Sequence, residues 1–167
     1  MKVNKESVPQ DFNLSLAVVD TIPVLLFGGS TILISLIFNS KLFLVGSLLC
    51  LFAGLSKVIW KIIVATKKKN IWFLFIQMRI TMPIGLLLMI ISFIINKQLI
   101  NIDVLLINLL SFPVNLFFII GIIGMIMMLI FALTLDGNKV KNNWMEQITN
   151  LIAQLCFFIG LLIIVIR

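Results

Sequence analysis

Long apolar runs separated by short polar turns make up most of this chain. A helix needs about 20 consecutive apolar residues to cross the hydrocarbon core of a bilayer. Runs of that length cover residues 14–38, 42–65, 71–95, 112–135 and 144–166. The pattern therefore predicts an all-α fold, a polytopic transmembrane helix bundle of about five spans.

The apolar stretch from residue 99 to residue 135 is too long for one span, because a helix of this length would measure roughly 55 Å. Pro113 divides it, and we expect a short interfacial helix over residues 99–110 before the fourth span. Residues 1–13 form a polar, cytoplasmic segment, and residues 14–167 form a single transmembrane domain. Because the first run is longer than the core of a signal peptide, we expect it to be retained as a span.

Composition supports a bilayer as the solvent. Hydrophobic residues make up 62% of the chain and charged residues 11%, whereas a soluble domain averages roughly 45–50% and about 25%. The net charge of +7 would suggest nucleic acid in a soluble protein. Here the basic residues lie mostly at the ends of apolar runs, which is the pattern that orients membrane proteins. We therefore expect the lipid bilayer as partner and no nucleic acid.

The chain has no histidine and two isolated cysteines, Cys50 and Cys156, so we expect neither a metal site nor a cofactor. Intramembrane catalysis needs a recognisable chemical group, such as a serine beside a base or a pair of carboxylates. The sequence offers no such arrangement at helical spacing. An enzyme is accordingly the least favoured of the functions considered.

Lysine and arginine are distributed unevenly between the two sides of the predicted bundle. One side carries Lys2, Lys5, Lys67, Lys68, Lys69, Lys139 and Lys141, and the other carries Lys41, Lys97 and Arg167. The positive-inside bias predicts a cytoplasmic N-terminus and a C-terminus outside the plasma membrane. Trp60, Trp72 and Trp144 lie near the predicted cytoplasmic ends of their helices, where an aromatic belt would form.

Polar side chains inside the spans are the candidate functional residues, because burying them in lipid is costly. They collect in the predicted cytoplasmic half, while the outer half is nearly free of them. The candidate cluster comprises Asp20, Lys57, Lys61, Gln77, Arg79, Glu146, Gln147, Asn150 and Gln154.

Small and polar residues share one face on each of four spans, at spacings of three and four residues. Such faces let helices approach closely, and we expect the four faces to converge on one polar pocket. The faces are Asp20, Val24, Gly28, Thr31 and Ser35 on the first span; Gly46, Cys50, Gly54, Lys57 and Lys61 on the second; Gln77, Thr81, Gly85 and Ser92 on the third; and Gln147, Asn150 and Gln154 on the fifth.

Each charged residue also has a structural interpretation. Long side chains at Lys61, Lys57 and Arg79 can extend to the headgroups, Lys61 most easily. Asp20 is either an interfacial N-cap or a membrane-embedded carboxylate paired with Lys57 or Arg79. The amides are more typical of contacts between helices than of ligand binding.

Two further patterns concern helix ends and breaks. Asn143 followed by Glu146 resembles a capping box at the start of the fifth span. Pro23 and Pro83 each leave a backbone carbonyl one turn earlier without its helical partner, unless Pro23 belongs to a first turn. Together with Pro113 they are the predicted helix breaks.

The favoured function is a non-enzymatic membrane component, a subunit or scaffold of a complex with other membrane subunits or with copies of itself. The alternative is a small transporter or channel-like protein for an anionic or amphipathic solute.

Overall fold

The computed structural model describes residues 13–96, 98, 102–135 and 140–166. These residues form seven helices and no strand: α1 Leu14–Phe38, α2 Lys41–Lys67, α3 Trp72–Ile76, α4 Met78–Ile95, α5 Ile102–Leu110, α6 Val114–Thr134 and α7 Val140–Ile166. Five segments are long and apolar enough to cross a membrane, with α3 and α4 together forming the third. The predicted all-α bundle of five spans is confirmed.

Local signals explain where several helices begin and end. The Asn13 side chain accepts a hydrogen bond from the Leu16 backbone N–H at 2.9 Å, which caps α1. Ser40 caps α2 by accepting from the N–H of Phe43. Lys68 ends α2 in the left-handed conformation, with a φ of 50°.

Pro23 lies well inside α1 and Pro83 well inside α4, and neither ends its helix. Each proline therefore leaves one backbone carbonyl without its helical partner, as expected from its position within a span. The alternative place of Pro23 in a first turn is wrong, because α1 begins at Leu14. The third span is interrupted earlier, at Gln77, between α3 and α4. The third predicted break is confirmed, because Pro113 directly precedes α6 and separates it from the predicted short helix, observed as α5.

The spans pack in the spatial order α4, α2, α1, α7, α6, so that each inner helix contacts one neighbour on either side. The first and last spans of the chain are therefore central neighbours. The two end helices, α4 and α6, have their extensive contacts with one other span each.

Glycines determine how closely these neighbours approach. A Cβ on Gly46 of α2 would lie 2.7 Å from the carbonyl oxygen of Gly85 on α4, so the two backbones are in direct contact. A Cβ on Gly54 would lie 2.8 Å from Cγ1 of Val24 on α1. The predicted small-residue face of α2 is thus a packing surface, and it serves two different neighbours.

One end of the bundle, which we call the tryptophan end, has an aromatic core. Leu16, Trp60, Val64 and Phe75 form a buried cluster, against which Trp72, Leu74 and Trp144 pack. Trp60 is completely buried, and its indole N–H donates to Asn70 Oδ1 at 2.9 Å. The expectation of an aromatic belt is therefore wrong for Trp60, which belongs to the core because α1 and α3 cover it.

The opposite end, which we call the serine end, has a network of buried polar groups. The hydroxyls of Ser40 and Ser92 lie 2.6 Å apart, and Asn96 Nδ2 donates to the Ser92 carbonyl at 2.9 Å. This network connects the start of α2 to the end of α4. It consists of hydroxyls and of Asn96 at the end of α4, not of the charged residues that we expected to be scarce in this half.

Candidate functional site

The clearest charged contact within the bundle joins α1 to α2. Lys61 Nζ donates to Asp20 Oδ2 at 2.5 Å, and the two side chains are only 3% and 8% exposed. A buried charge is tolerated when it is paired, whereas one left alone is strongly destabilising. The polar faces predicted on these two helices thus meet at the same depth.

This pair corrects three expectations. Asp20 is not an N-cap, because α1 begins at Leu14. Lys61 does not extend to the headgroups, because it is buried against Asp20. The carboxylate also pairs with neither Lys57 nor Arg79. The reason is packing: α2 presents Lys61, not Lys57, to the turn of α1 that carries Asp20.

Two charges of opposite sign lie near this pair. Lys57 on α2 and Glu146 on α7 are half-buried, and each interacts electrostatically with Lys61. Neither makes a hydrogen bond or ion pair with any residue in the described part of the chain. The predicted capping box is wrong, since α7 begins at Val140 and Asn143 lies inside it.

Arg79 and Gln77 lie in the third span and have different surroundings from each other. The Arg79 guanidinium is exposed and lies 5.0 Å from the centroid of the Phe75 ring, a cation–π contact. Gln77 is buried at the break between α3 and α4, where its Oε1 accepts from the Thr81 hydroxyl at 2.9 Å. These two candidates therefore stabilise the third span locally and do not join the charges around Lys61.

A cavity of about 270 Å³ lies at the middle of the bundle, and all five spans contribute to its wall. Its lining residues are Pro23, Val24, Phe27, Cys50, Gly54, Met82, Leu86, Met125, Asn150 and Gln154. This differs from the single polar pocket that we expected. The wall is mostly apolar, and none of the charged candidates lines it, because the charges lie nearer the tryptophan end.

The polar groups of the cavity are amides of α7 with unused hydrogen-bonding capacity. Within the described part of the chain, Gln154 Nε2 donates only to the sulfur of Met125 on α6, at 3.6 Å, and a thioether is a weak acceptor. The half-buried side chain of Asn150 makes no hydrogen bond to a described residue. Gln147, one turn away, is 7% exposed, and its Oε1 has no partner among the residues described.

Such groups are costly inside a membrane, where water does not replace the missing partner. We expected these amides to join helices, and Gln154 does contact α6. The larger part of their hydrogen-bonding capacity, however, faces the cavity or has no partner among the residues that the structure describes.

Sequence reasoning missed the apolar half of the site. Phe27, Met82, Leu86 and Met125 line the cavity, yet nothing distinguishes them from the other apolar residues of their spans. The fourth span was not assigned to the site at all, because it has no polar face. Outside the cavity, the N-cap Ser40 was detectable, since a serine shortly before an apolar run is a typical N-cap.

Fold and cavity together define a multi-pass α-helical membrane protein with a mid-bundle cavity. Comparison with protein-family models, with curated proteins and with solved structures finds no match to this chain. Among the residues that the structure describes, no group of three or more His, Cys, Asp or Glu side chains is placed to hold a metal ion.

Proposed function

We propose that this protein is a non-enzymatic membrane component that binds an amphipathic, mostly apolar molecule between its five spans. The observation that carries the proposal is the mid-bundle cavity with its apolar wall and incompletely bonded amides. Ligand sites typically combine apolar walls with a few polar groups that orient the ligand. Asn150 and Gln154 supply those groups here.

The arrangement of the helices supports access from the bilayer. Met82 and Leu86 of α4 and Met125 of α6 line the cavity, yet α4 and α6 have no extensive packing with each other. Leu86 and Met125 are also 40% and 42% exposed. These observations support a route for a lipid-soluble ligand between the two helices, past the side chains of Leu86 and Met125.

The charged candidates support a binding role over a catalytic one. Asp20, the buried carboxylate in the cluster, is already held by Lys61. A carboxylate that is fixed in an ion pair is poorly placed for acid–base chemistry at the cavity. Its contribution is to join α1 and α2.

Orientation is part of the same proposal. The tryptophan end faces the cytoplasm, the N-terminus is inside, and the C-terminus is outside a plasma membrane. Support comes from Lys67, Lys68, Lys69 and Lys141, which all lie at that end and are exposed. A reporter fused after Arg167 that is active only in the cytoplasm would contradict this orientation.

Photocrosslinking tests the binding proposal with a defined probe. The purified full chain is placed in phosphatidylcholine vesicles with a fatty alcohol that carries a diazirine in mid-chain, and labelled peptides are identified by mass spectrometry. We expect labelling concentrated on cavity residues such as Met82 and Met125. Uniform labelling of all lipid-facing residues is the outcome that refutes binding.

Two methionines of α6 provide a matched pair of variants. Met125 and Met127 are 42% and 41% exposed, but only Met125 lines the cavity. Met125→Trp fills the space and should reduce cavity labelling several-fold, whereas Met127→Trp should leave it unchanged. Native mass spectrometry of the same sample identifies any stoichiometric protein partner, which would place the binding site in a subunit of a complex.

A further inference from the structure

The helix faces that line the cavity continue toward the tryptophan end with charged and polar residues. On α2, Lys57 follows the cavity residue Gly54 by three positions. On α7, Gln147 and Glu146 precede the cavity residue Asn150 by three and four positions. Such spacings place side chains on one face, roughly 5 Å further along the helix. This distance is short enough for one ligand molecule to occupy the cavity and also reach these groups.

Of the charged residues beside the cavity at the tryptophan end, one cation and one anion are available to bind a ligand. Asp20 and Lys61 neutralise each other at 2.5 Å. Lys57 and Glu146 are half-buried, lie in the electrostatic environment of Lys61, and have no hydrogen bond or ion pair with a described residue. Gln147 adds a buried acceptor, Oε1, that has no partner among the described residues. Three unsatisfied groups of complementary chemistry thus follow the cavity.

We propose that the occupant is a zwitterionic amphipath whose head carries a primary ammonium and a phosphate, as in phosphoethanolamine lipids. The inference rests on the proposed binding function and names the class of ligand. The phosphate accepts hydrogen bonds from Lys57. The ammonium donates to the Glu146 carboxylate and to Gln147 Oε1. The acyl chain occupies the space between Phe27, Met82 and Met125.

Other head groups satisfy fewer of these residues. A purely anionic head would pair with Lys57 but be repelled by Glu146, and it would leave Gln147 Oε1 without a donor. A choline head has no N–H to donate to that oxygen. A primary ammonium with a phosphate forms charge-assisted hydrogen bonds to all three side chains, and such bonds are roughly twice as strong as neutral ones.

The size of the cavity favours a single acyl chain. An apolar protein cavity of roughly 150 Å³ takes up benzene, and the cavity here measures about 270 Å³. That space suits part of one chain better than two chains side by side. A lysolipid, with one chain and an intact head, is the matching probe.

The test compares three lysolipids that differ only in their head. Lysophosphatidylethanolamine, lysophosphatidylcholine and lysophosphatidylglycerol, each with a mid-chain diazirine, are crosslinked to the full chain in phosphatidylcholine vesicles. We expect the ethanolamine probe to label the cavity about tenfold more than the other two, the size of effect given by one or two hydrogen bonds to charged groups.

Variants of the head-binding residues give the second readout. Glu146→Gln should remove the preference for ethanolamine, because the ammonium loses its carboxylate partner. Lys57→Gln should lower the labelling by all three probes, because each carries the phosphate that Lys57 binds, while Lys57→Arg retains the labelling because the cation is kept. Lys67→Gln is the matched control, since Lys67 lies on the same helix but is exposed beyond the cavity. If one variant fails to fold, the other and competition of the wild type with unlabelled lysophosphatidylethanolamine keep the test decisive.

The outcomes separate the two proposals. Equal labelling of the cavity by all three probes overturns the selection of a head with a primary ammonium and leaves the binding function intact. Absence of cavity-specific labelling by every probe overturns both. Water-soluble phosphoethanolamine that competes as well as the lysolipid shows that the chain contributes nothing, which overturns a lipid as the occupant.

Discussion

The two ends of the bundle are held together by different interactions. At the tryptophan end, an ion pair between Asp20 and Lys61 joins α1 to α2 beside a core of large aromatic side chains. At the serine end, hydroxyls and an amide join α2 to α4. Nearby, Gly46 and Gly85 bring the two backbones into contact. Helix α2 takes part in the interactions at both ends of the bundle.

This difference shows how a small bundle can hold a cavity open between two fixed ends. Close backbone packing, as between Gly46 and Gly85, needs small residues. An ion pair such as Asp20–Lys61 needs a precisely placed partner. Because these contacts lie toward opposite ends, the middle of the bundle is left for Asn150 and Gln154, which keep unused hydrogen-bonding capacity among the described residues.

The largest effect is expected at the ion pair. Asp20→Leu leaves Lys61 buried without its partner, and we expect a loss of about 3–5 kcal/mol in the free energy of unfolding. The double variant Asp20→Leu, Lys61→Met should recover most of that loss, because neither charge remains. Unfolding by SDS, followed through tryptophan fluorescence, measures it. Equal stability of the single variant and the wild type would show that the pair does not hold this end.

A smaller loss is expected where α2 meets α4. In Gly85→Ala the new Cβ would lie 2.6 Å from Cys50 Sγ and 2.8 Å from the Gly46 carbonyl oxygen. The backbone oxygen cannot rotate away, so we expect overpacking to cost about 1–3 kcal/mol.

Gly28→Ala is the control for this contact. The three atoms nearest to its Cβ all belong to the Leu51 side chain, with Cδ1 at 2.5 Å, and that side chain can change rotamer. We expect a smaller loss than for Gly85→Ala in the same SDS assay. The reverse order would contradict the view that backbone contact fixes α2 against α4.

The smallest effect is expected from the hydroxyl network. Ser92→Ala removes the contact with Ser40 at 2.6 Å, and hydrogen bonds between membrane helices average about 0.6 kcal/mol. A double-mutant cycle with Ser40→Ala measures the coupling between the two hydroxyls. No coupling would mean that close glycine packing alone holds the serine end.

The spans were predictable because lipid imposes a simple rule. Backbone groups must bond within a helix, so each long apolar run becomes one. The small-residue face of α2 was also predictable from spacing alone. Gly46 and Gly54 lie on it, although the sequence did not show that they contact different helices.

The candidate site was predictable only in part. The positions of Asp20 and Lys61 within their spans correctly placed both residues at one depth in the membrane. These positions did not show which lysine would contact the carboxylate. Asn150 and Gln154 were identified as polar residues of the fifth span. The sequence pattern did not indicate the apolar wall, which includes Met125 of the fourth span. Apolar side chains occur equally at positions that face lipid, a neighbouring helix or a cavity.

The sequence by itself determined the class of protein, the number of spans and the segregation of charge toward one end. Those properties follow from local quantities: run length, composition and helical spacing. Only the tertiary structure decided the helix order, the partner of Asp20 and the existence of the cavity. They depend on how helices far apart in the chain rotate and pack against each other, and α1 and α7 became neighbours although they lie at opposite ends of the sequence.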